Sequence, residues 1–178
     1  MIRVAILTIS DSAVAGARED RSGPAVAEMA QSLGWSIVAR EVLRDEQEEI
    51  AGAMSRLIDQ GHADVVITTG GTGLGPRDVT PEATKGIADR DIPGFGEVMR
   101  AEGRKAARFA SLSRGGAAAR GSGLIVNLPG SPKGAVDSLV AVADLIPQAV
   151  DLLHGRTEHK IEPHKPASDK PGEASKII

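Results

Sequence analysis

Asp64–Thr69 (DVVITT) reads as a strand that passes directly into a glycine-rich stretch, Gly70–Arg77, and Arg3–Ile9 forms a compact apolar run. So short and continuous an apolar run is expected of a strand covered on both faces, which requires helices above and below the sheet. In open α/β sheets, ligands bind beyond the carboxyl ends of the strands. The chain therefore places glycines, and an unshielded backbone, where such a fold keeps its site.

The rest of the chain repeats this alternation. Arg3–Ile9, Trp35–Leu43 and Gly123–Leu128 read as further strands. Between them, Ser22-Gly23-Pro24 opens a helix with Ser22 as N-cap, Val26, Met29, Ala30 and Leu33 recurring at helical spacing before Gly34. Ile50, Ala53, Met54, Leu57 and Ile58 mark one face of a second helix that stops at Gly61. Thr80-Pro81-Glu82 begins another, with Thr80 as cap, and Phe95, Val98 and Met99 place one near residues 94–109. The closing helix carries Val136, Leu139, Val140 and Ala143, and Pro147 is expected to kink or break its continuation. The pattern predicts a single three-layer α/β domain over residues 1–155, with a mainly parallel sheet, right-handed crossovers and helices on both faces. From about Thr157 the composition turns to Glu, His, Lys, Pro and Ser, so residues 156–178 read as a disordered tail.

Composition narrows the function. The net charge is −3 and the only aromatics are Trp35, Phe95 and Phe109. That argues against a nucleic-acid surface, which needs clustered cations and stacking rings. Absence of cysteine excludes disulfides, thiolate metal sites and cysteine nucleophiles. No apolar run approaches the ~20 residues of a membrane span. The apolar start MIRVAILTIS is too short for a signal peptide, so no membrane partner and a cytoplasmic setting are expected. His154, His159 and His164 fall five apart, so no pair shares a helical face, and His62 follows a helix stop. None reads as a metal ligand or catalytic base.

The chemistry is expected in four loops at the strand ends: Ser10-Asp11 with Asp20–Gly23, Arg44-Asp45, Gly70–Asp78, and Pro129–Gly134. Gly70-Gly71-Thr72-Gly73 is neither a Walker A loop nor GxGxxG. It can present backbone N–H groups to phosphate, or it can be a flexible turn. Asp45 and Asp78 can hold Mg²⁺ against a polyphosphate, since that ion needs only one or two protein carboxylates. Equally, Asp45 with Glu48 has capping-box spacing, and Asp78 can order the turn before Thr80. Ser131-Pro132-Lys133 opens a helix whose N-terminus favours an anion, with Lys133 either adding charge or lying in solvent. Ser113-Arg114 and Arg120-Gly121 supply further donors for a phosphate or a heterocycle edge.

The string TTGGTGLGPRDVTPEAT (Thr68–Thr84) closely resembles the signature of the MogA/MoaB family, which includes the G domains of gephyrin and its plant counterpart. ILTISD (Ile6–Asp11), DRSGPA (Asp20–Ala25), LSR (Leu112–Arg114) and RGSGLIVNLPGSPKG (Arg120–Gly134) extend the resemblance over residues 1–155. It implies a molybdopterin-binding α/β fold, usually a homotrimer, in which the molybdopterin phosphate attacks the α-phosphorus of Mg²⁺-ATP and releases pyrophosphate. By that resemblance Asp45 and Asp78 are the essential acidic pair and the Mg²⁺ ligands. Gly70, Gly71, Thr72, Gly73, Gly130, Ser131 and Lys133 would hold nucleotide and phosphates, and Asn127 and Pro129 would be further ligand-binding residues. Ser10, Asp11, Ser22, Gly23, Ser113 and Arg114 would lie toward the pterin. The metal-insertion enzyme of the same pathway is an implied partner.

Within the family, the alternative is a MoaB-type protein that binds molybdopterin without adenylylation as its physiological task. A metal-insertion enzyme would require additional domains, and the competence-damage type of domain fits LPGSPKG and LSR less well.

Overall fold

The computed structural model describes residues 1–156; the tail expected beyond Thr157, with His159 and His164, lies outside the described residues. In chain order the first half comprises β1 (Arg3–Ile9), α1 (Asp11–Val14), α2 (Ser22–Ser32), β2 (Ser36–Leu43), α3 (Gln47–Asp59) and β3 (Val65–Thr69). The second comprises α4 (Thr80–Ile87), β4 (Arg90–Ile92), α5 (Pro93–Ala106), a 3₁₀ turn (Arg108–Leu112), β5 (Gly116–Arg120), β6 (Gly123–Leu128), α6 (Pro132–Val142) and α7 (Leu145–Leu153). One six-stranded sheet forms in the order β2-β1-β3-β6-β5-β4.

The expected apolar runs are the parallel half of this sheet, with β1 joined to β2 and β3, and β3 to β6. The remaining strands, β4 and β5, run antiparallel. Neither was expected. β5 reads GAAAR, without the β-branched residues that favour strands, and takes its conformation from pairing with β6. β4 is a short, largely exposed edge strand carrying Arg90 and Asp91, a form of edge that discourages further pairing.

The sheet separates two apolar cores. Val4, Ile6, Val65, Ile67, Leu124 and Val126 face α2, α5, α6 and α7, with Trp35 and Phe95 in the same core. Ala5, Leu7, Val66 and Ile125 face α3 and α4 through Ile50, Met54, Leu57 and Ala83. Each fully buried branched side chain contributes about 1.5–3 kcal/mol, and successive residues along β1 and β3 supply both cores at once. That is the doubly covered sheet the sequence implies. No helix among the described residues is long and apolar enough to cross a membrane.

Three expected helix starts differ in detail. Ser22 is the first residue of α2 rather than its cap; the Asp20 carboxylate does the capping, accepting from the Gly23 amide at 2.9 Å. Thr80 is the first residue of α4, and its hydroxyl donates to the carbonyl of Gly70 at 2.9 Å. The capping box of Asp45 and Glu48 does not form, because α3 begins at Gln47 with Glu46 as its cap residue. The closing helix breaks between Val142 and Leu145, leaving Pro147 in the first turn of α7, where it has no helical bond to lose.

The register aligns the site. Ile9 pairs with Leu43, Thr8 with Thr69, and Thr69 with Leu128. The segments after β1, β2, β3 and β6 therefore leave the sheet along one edge. Because β5 is antiparallel and Gly116 pairs with Asn127, Ser113–Gly115 arrives at this same edge while Arg120 points to the opposite one.

Candidate active site

Two clefts lie along the carboxyl edge and meet at Gly130 and Ser131, which line both. One, of about 470 Å³, is polar and lined by Ser10, Asp11, Asp45, Asp78, Ser22, Gly70 and Gly71. The other, of about 680 Å³, is more apolar and lined by Thr72, Gly73, Met99, Phe109, Leu112, Ser113 and Lys133. The glycine loop is the wall between them.

That loop is fixed by its neighbours. Gly70 (φ +111°) would drive a Cβ to 2.2 Å from the Ile9 carbonyl oxygen, and Gly71 (φ +64°) to 2.3 Å from the Thr80 hydroxyl. Only glycine fits at either position. The Gly70 amide donates to Leu128 O at 3.1 Å, and the Thr69 hydroxyl to Pro129 O at 2.7 Å, which locks the loop after β3 to the turn after β6. The amides of Gly71, Thr72, Gly73, Gly130 and Ser131 donate to nothing among the described residues. Backbone donors held this way are free to meet an outside acceptor, and a phosphate supplies several.

Arg114 completes the frame. Its amide donates to Thr72 O at 2.9 Å, its guanidinium to Gly73 O at 2.7 Å and Asp78 O at 2.6 Å, and it pairs with Glu82. Expected near the pterin, it lines neither cleft. It holds the loop from outside. Asp78 orders the loop too, but by reaching back to accept from the Gly75 amide at 2.7 Å rather than forward to the helix. Its Oδ1 carries no hydrogen bond among the described residues and is left for the cleft.

Asp11 and Asp45 sit at the ends of β1 and β2 and bond reciprocally. The Asp11 amide donates to Asp45 Oδ2 at 2.9 Å and the Asp45 amide to Asp11 Oδ1 at 3.1 Å. Arg77 closes over them, donating to Asp11 at 2.9 Å and to Glu46 at 2.9 Å. The Arg77 guanidinium, and then the Asp45 amide, hold the Asp11 carboxyl below the usual carboxylate range. Burial pushes the Asp45 carboxyl up; the Asp11 amide opposes this, and the charges of Asp11 and Asp78 reinforce it. Asp45 Oδ1 has no hydrogen-bond partner among the described residues. A cation in this cleft would relieve the crowding on Asp45.

Other expected residues are engaged elsewhere. Asn127 is buried, its carboxamide accepting from Thr68 at 2.9 Å and donating to Thr84 at 2.8 Å, so it ties β3, β6 and α4 together below the site. Ser22 and Gly23 are buried at the start of α2, though Ser22 still borders the polar cleft. Ser113 borders the apolar cleft, so the residues expected around one heterocycle divide between two clefts. Lys133 pairs with Asp137 at 2.5 Å. Arg120 bonds Asp59 and Ile87 O at the far edge. His154 lies 3.9 Å from Asp64, also away from the site.

Asp20 and Arg77 lie in two of the expected loops without an individual role assigned to them, and Arg18 lies outside those loops. Asp20 had a readable signal, an acid three residues before a helix-opening glycine, and it also accepts from the Thr8 hydroxyl at 2.8 Å. The pairing of Arg77 with Asp11 spans 66 residues and leaves no local trace.

Comparison with known proteins converges on one family. A family described as "probable molybdopterin binding domain" matches residues 5–148. A molybdopterin adenylyltransferase of Helicobacter pylori (strain J99) is 42% identical over 156 residues, covering 86% of this chain and 89% of that protein. The molybdopterin adenylyltransferase of Escherichia coli K12 is 37% identical, covering 86% of each chain. The crystal structure of the molybdopterin biosynthesis enzyme MoaB from Thermus thermophilus superposes with a TM-score of 0.82 at 44% identity, covering 87% of this chain and 98% of that one.

Proposed function

The chain belongs to the molybdopterin-binding family, and on that premise we propose that it is a molybdopterin adenylyltransferase of molybdenum cofactor biosynthesis, using Mg²⁺-ATP. An oxygen of the molybdopterin phosphate forms a bond to the α-phosphorus of ATP, the α–β anhydride bond breaks, and pyrophosphate leaves. The attacking oxygen is already anionic, so the protein needs neither a covalent nucleophile nor a base. Catalysis of this kind is positioning plus charge neutralisation.

The observation that carries the reading is the pair Asp45 and Asp78 in a cleft that meets a second, apolar cleft at Gly130–Ser131. Among the described residues no group of three or more acids or histidines could cage a metal alone. That suits Mg²⁺, which takes one or two carboxylates, retains water and completes its shell from phosphates. Asp45 Oδ1 and Asp78 Oδ1 would hold it, and when bound it supplies charge neutralisation at the phosphates. The amides of Gly71–Gly73 and Gly130–Ser131 would orient the reacting phosphates at the junction. Met99, Phe109 and Leu112 would cover a flat ring and exclude water from one side.

The identities of the similar enzymes support transfer over binding alone, as does the presence of both acids in one cleft. The proposal includes a single functional domain over residues 1–155, a cytoplasmic homotrimer, and the metal-insertion enzyme as recipient of the product. Its test is to compare wild type with Asp78→Asn. Wild type should convert molybdopterin and Mg²⁺-ATP to adenylyl-molybdopterin and pyrophosphate. The variant should bind molybdopterin with little change and lose turnover by about 10²-fold or more. An Asp78→Asn protein with wild-type turnover would remove Asp78 from the metal site.

A further inference from the structure

The polar cleft carries more acid than an anionic ligand tolerates. Asp11, Asp45 and Asp78 line it. Two cations near the edge are already engaged, Arg77 with Asp11 and Glu46, and Lys133 with Asp137. Arg18 and Arg21, on the segment between α1 and α2, also line the cleft. Neither makes an ion pair or side-chain hydrogen bond among the described residues, and both are exposed. The adjacent Asp20 does not neutralise them, because its carboxylate is turned to Thr8 and the Gly23 amide. Glu19, between them, borders the cleft but pairs with neither.

The cleft is thus polarised, with carboxylates at the strand ends and uncommitted guanidinium groups on the α1–α2 segment. A metal–polyphosphate complex has the matching polarity: its cation faces carboxylates while its remaining phosphate oxygens stay anionic. We propose that Arg18 and Arg21 grip the pyrophosphate portion of the nucleotide, the part that leaves, and so determine its affinity and its release. Guanidinium suits this task, since its planar fork pairs with phosphate oxygens in bidentate fashion. The inference rests on the adenylyltransferase reading, which puts pyrophosphate in this cleft.

Calorimetric titration of the full-length chain with pyrophosphate in the presence of Mg²⁺ tests it without turnover. Arg18→Ala/Arg21→Ala should weaken binding about tenfold or more and flatten its salt dependence. Arg18→Lys/Arg21→Lys should retain part of the affinity, Glu19→Gln should strengthen it, and Arg90→Ala, on the far edge strand, should leave it unchanged. In steady state the double alanine variant should raise KM for ATP with kcat maintained or increased. Wild-type affinity in the double alanine variant, or an equal loss in Arg90→Ala, would overturn the arginine assignment while leaving adenylylation standing. A wild-type protein that transfers AMP but binds no pyrophosphate would overturn it as well. Absence of both transfer and pyrophosphate binding in wild type would overturn the enzyme reading itself.

Discussion

Arg114 donates to the backbone carbonyl of Asp78 at 2.6 Å, so the placement of an acid in the polar cleft depends on a residue that touches neither cleft. The same guanidinium holds Gly73 O at 2.7 Å. The loop is therefore pinned on both sides of its exposed tip, Leu74. A flexible glycine loop would pay for its order at each binding event, whereas this one is ordered in advance.

Arg114→Ala should lower stability by about 1–3 kcal/mol, a range set by charged hydrogen bonds at a partly exposed side chain. Kinetically it should reduce kcat while KM for molybdopterin stays near wild type. Thermal melts and steady-state kinetics check both. An unchanged melting temperature with a raised KM would make Arg114 a substrate contact instead.

Gly70→Ala places a Cβ 2.2 Å from a backbone oxygen at φ +111° and should cost about 1–3 kcal/mol while disordering the loop. Gly52, exposed in α3 with nothing within 4 Å of its Cβ direction, is the contrast. Gly52→Ala should stabilise by about 0.5–1 kcal/mol without affecting activity. Denaturant unfolding of both variants resolves the opposite signs.

Asn127→Ala should behave as a stability mutation. The buried Thr68 and Thr84 hydroxyls lose their shared partner, at about 1–3 kcal/mol. Ligand affinity, measured well below the melting temperature, should change little. A large loss of affinity with normal stability would return Asn127 to the binding site.

The contrast between Asp45 and Asn127 shows what the sequence could convey. Apolar runs and helical spacing specify β1, β3 and β6 and their covering helices, because burial on both faces of a parallel sheet leaves a direct trace in residue order, whereas the edge strand β2 is only partly buried. Strand order at the carboxyl edge then locates the loops. Side-chain direction within a strand is not so marked: Asn127 is one residue from the end of β6 and points inward to Thr68 and Thr84. Asp45 offered two local readings, and its side-chain partner, the Asp11 amide, lies 34 residues away. β5 was hidden because GAAAR carries no pattern of its own.

Asp45 also predicts a pH dependence. Its carboxyl is raised by burial and by neighbouring charge, and only its ionised form can hold a cation. Mg²⁺ affinity of the metal-free chain should therefore fall with decreasing pH at a higher pH than the ~3.9 of a free aspartate would give. The sign for stability is opposite: a raised carboxyl favours the fold below its unfolded pKa and loses that contribution as pH rises through the folded value. Asp45→Asn should remove the titration from the stability curve. A stability curve unchanged by that substitution would show that Asp45 titrates normally.

Adenylyl transfer itself is most directly tested by a single-turnover reaction of the purified chain with molybdopterin, Mg²⁺ and ATP labelled at the α-phosphorus. The label should appear in a molybdopterin adduct, with one pyrophosphate released for each adduct formed. Label recovered only as ATP or free AMP, with no adduct, would contradict an adenylyltransferase and leave a protein that binds molybdopterin without transforming it.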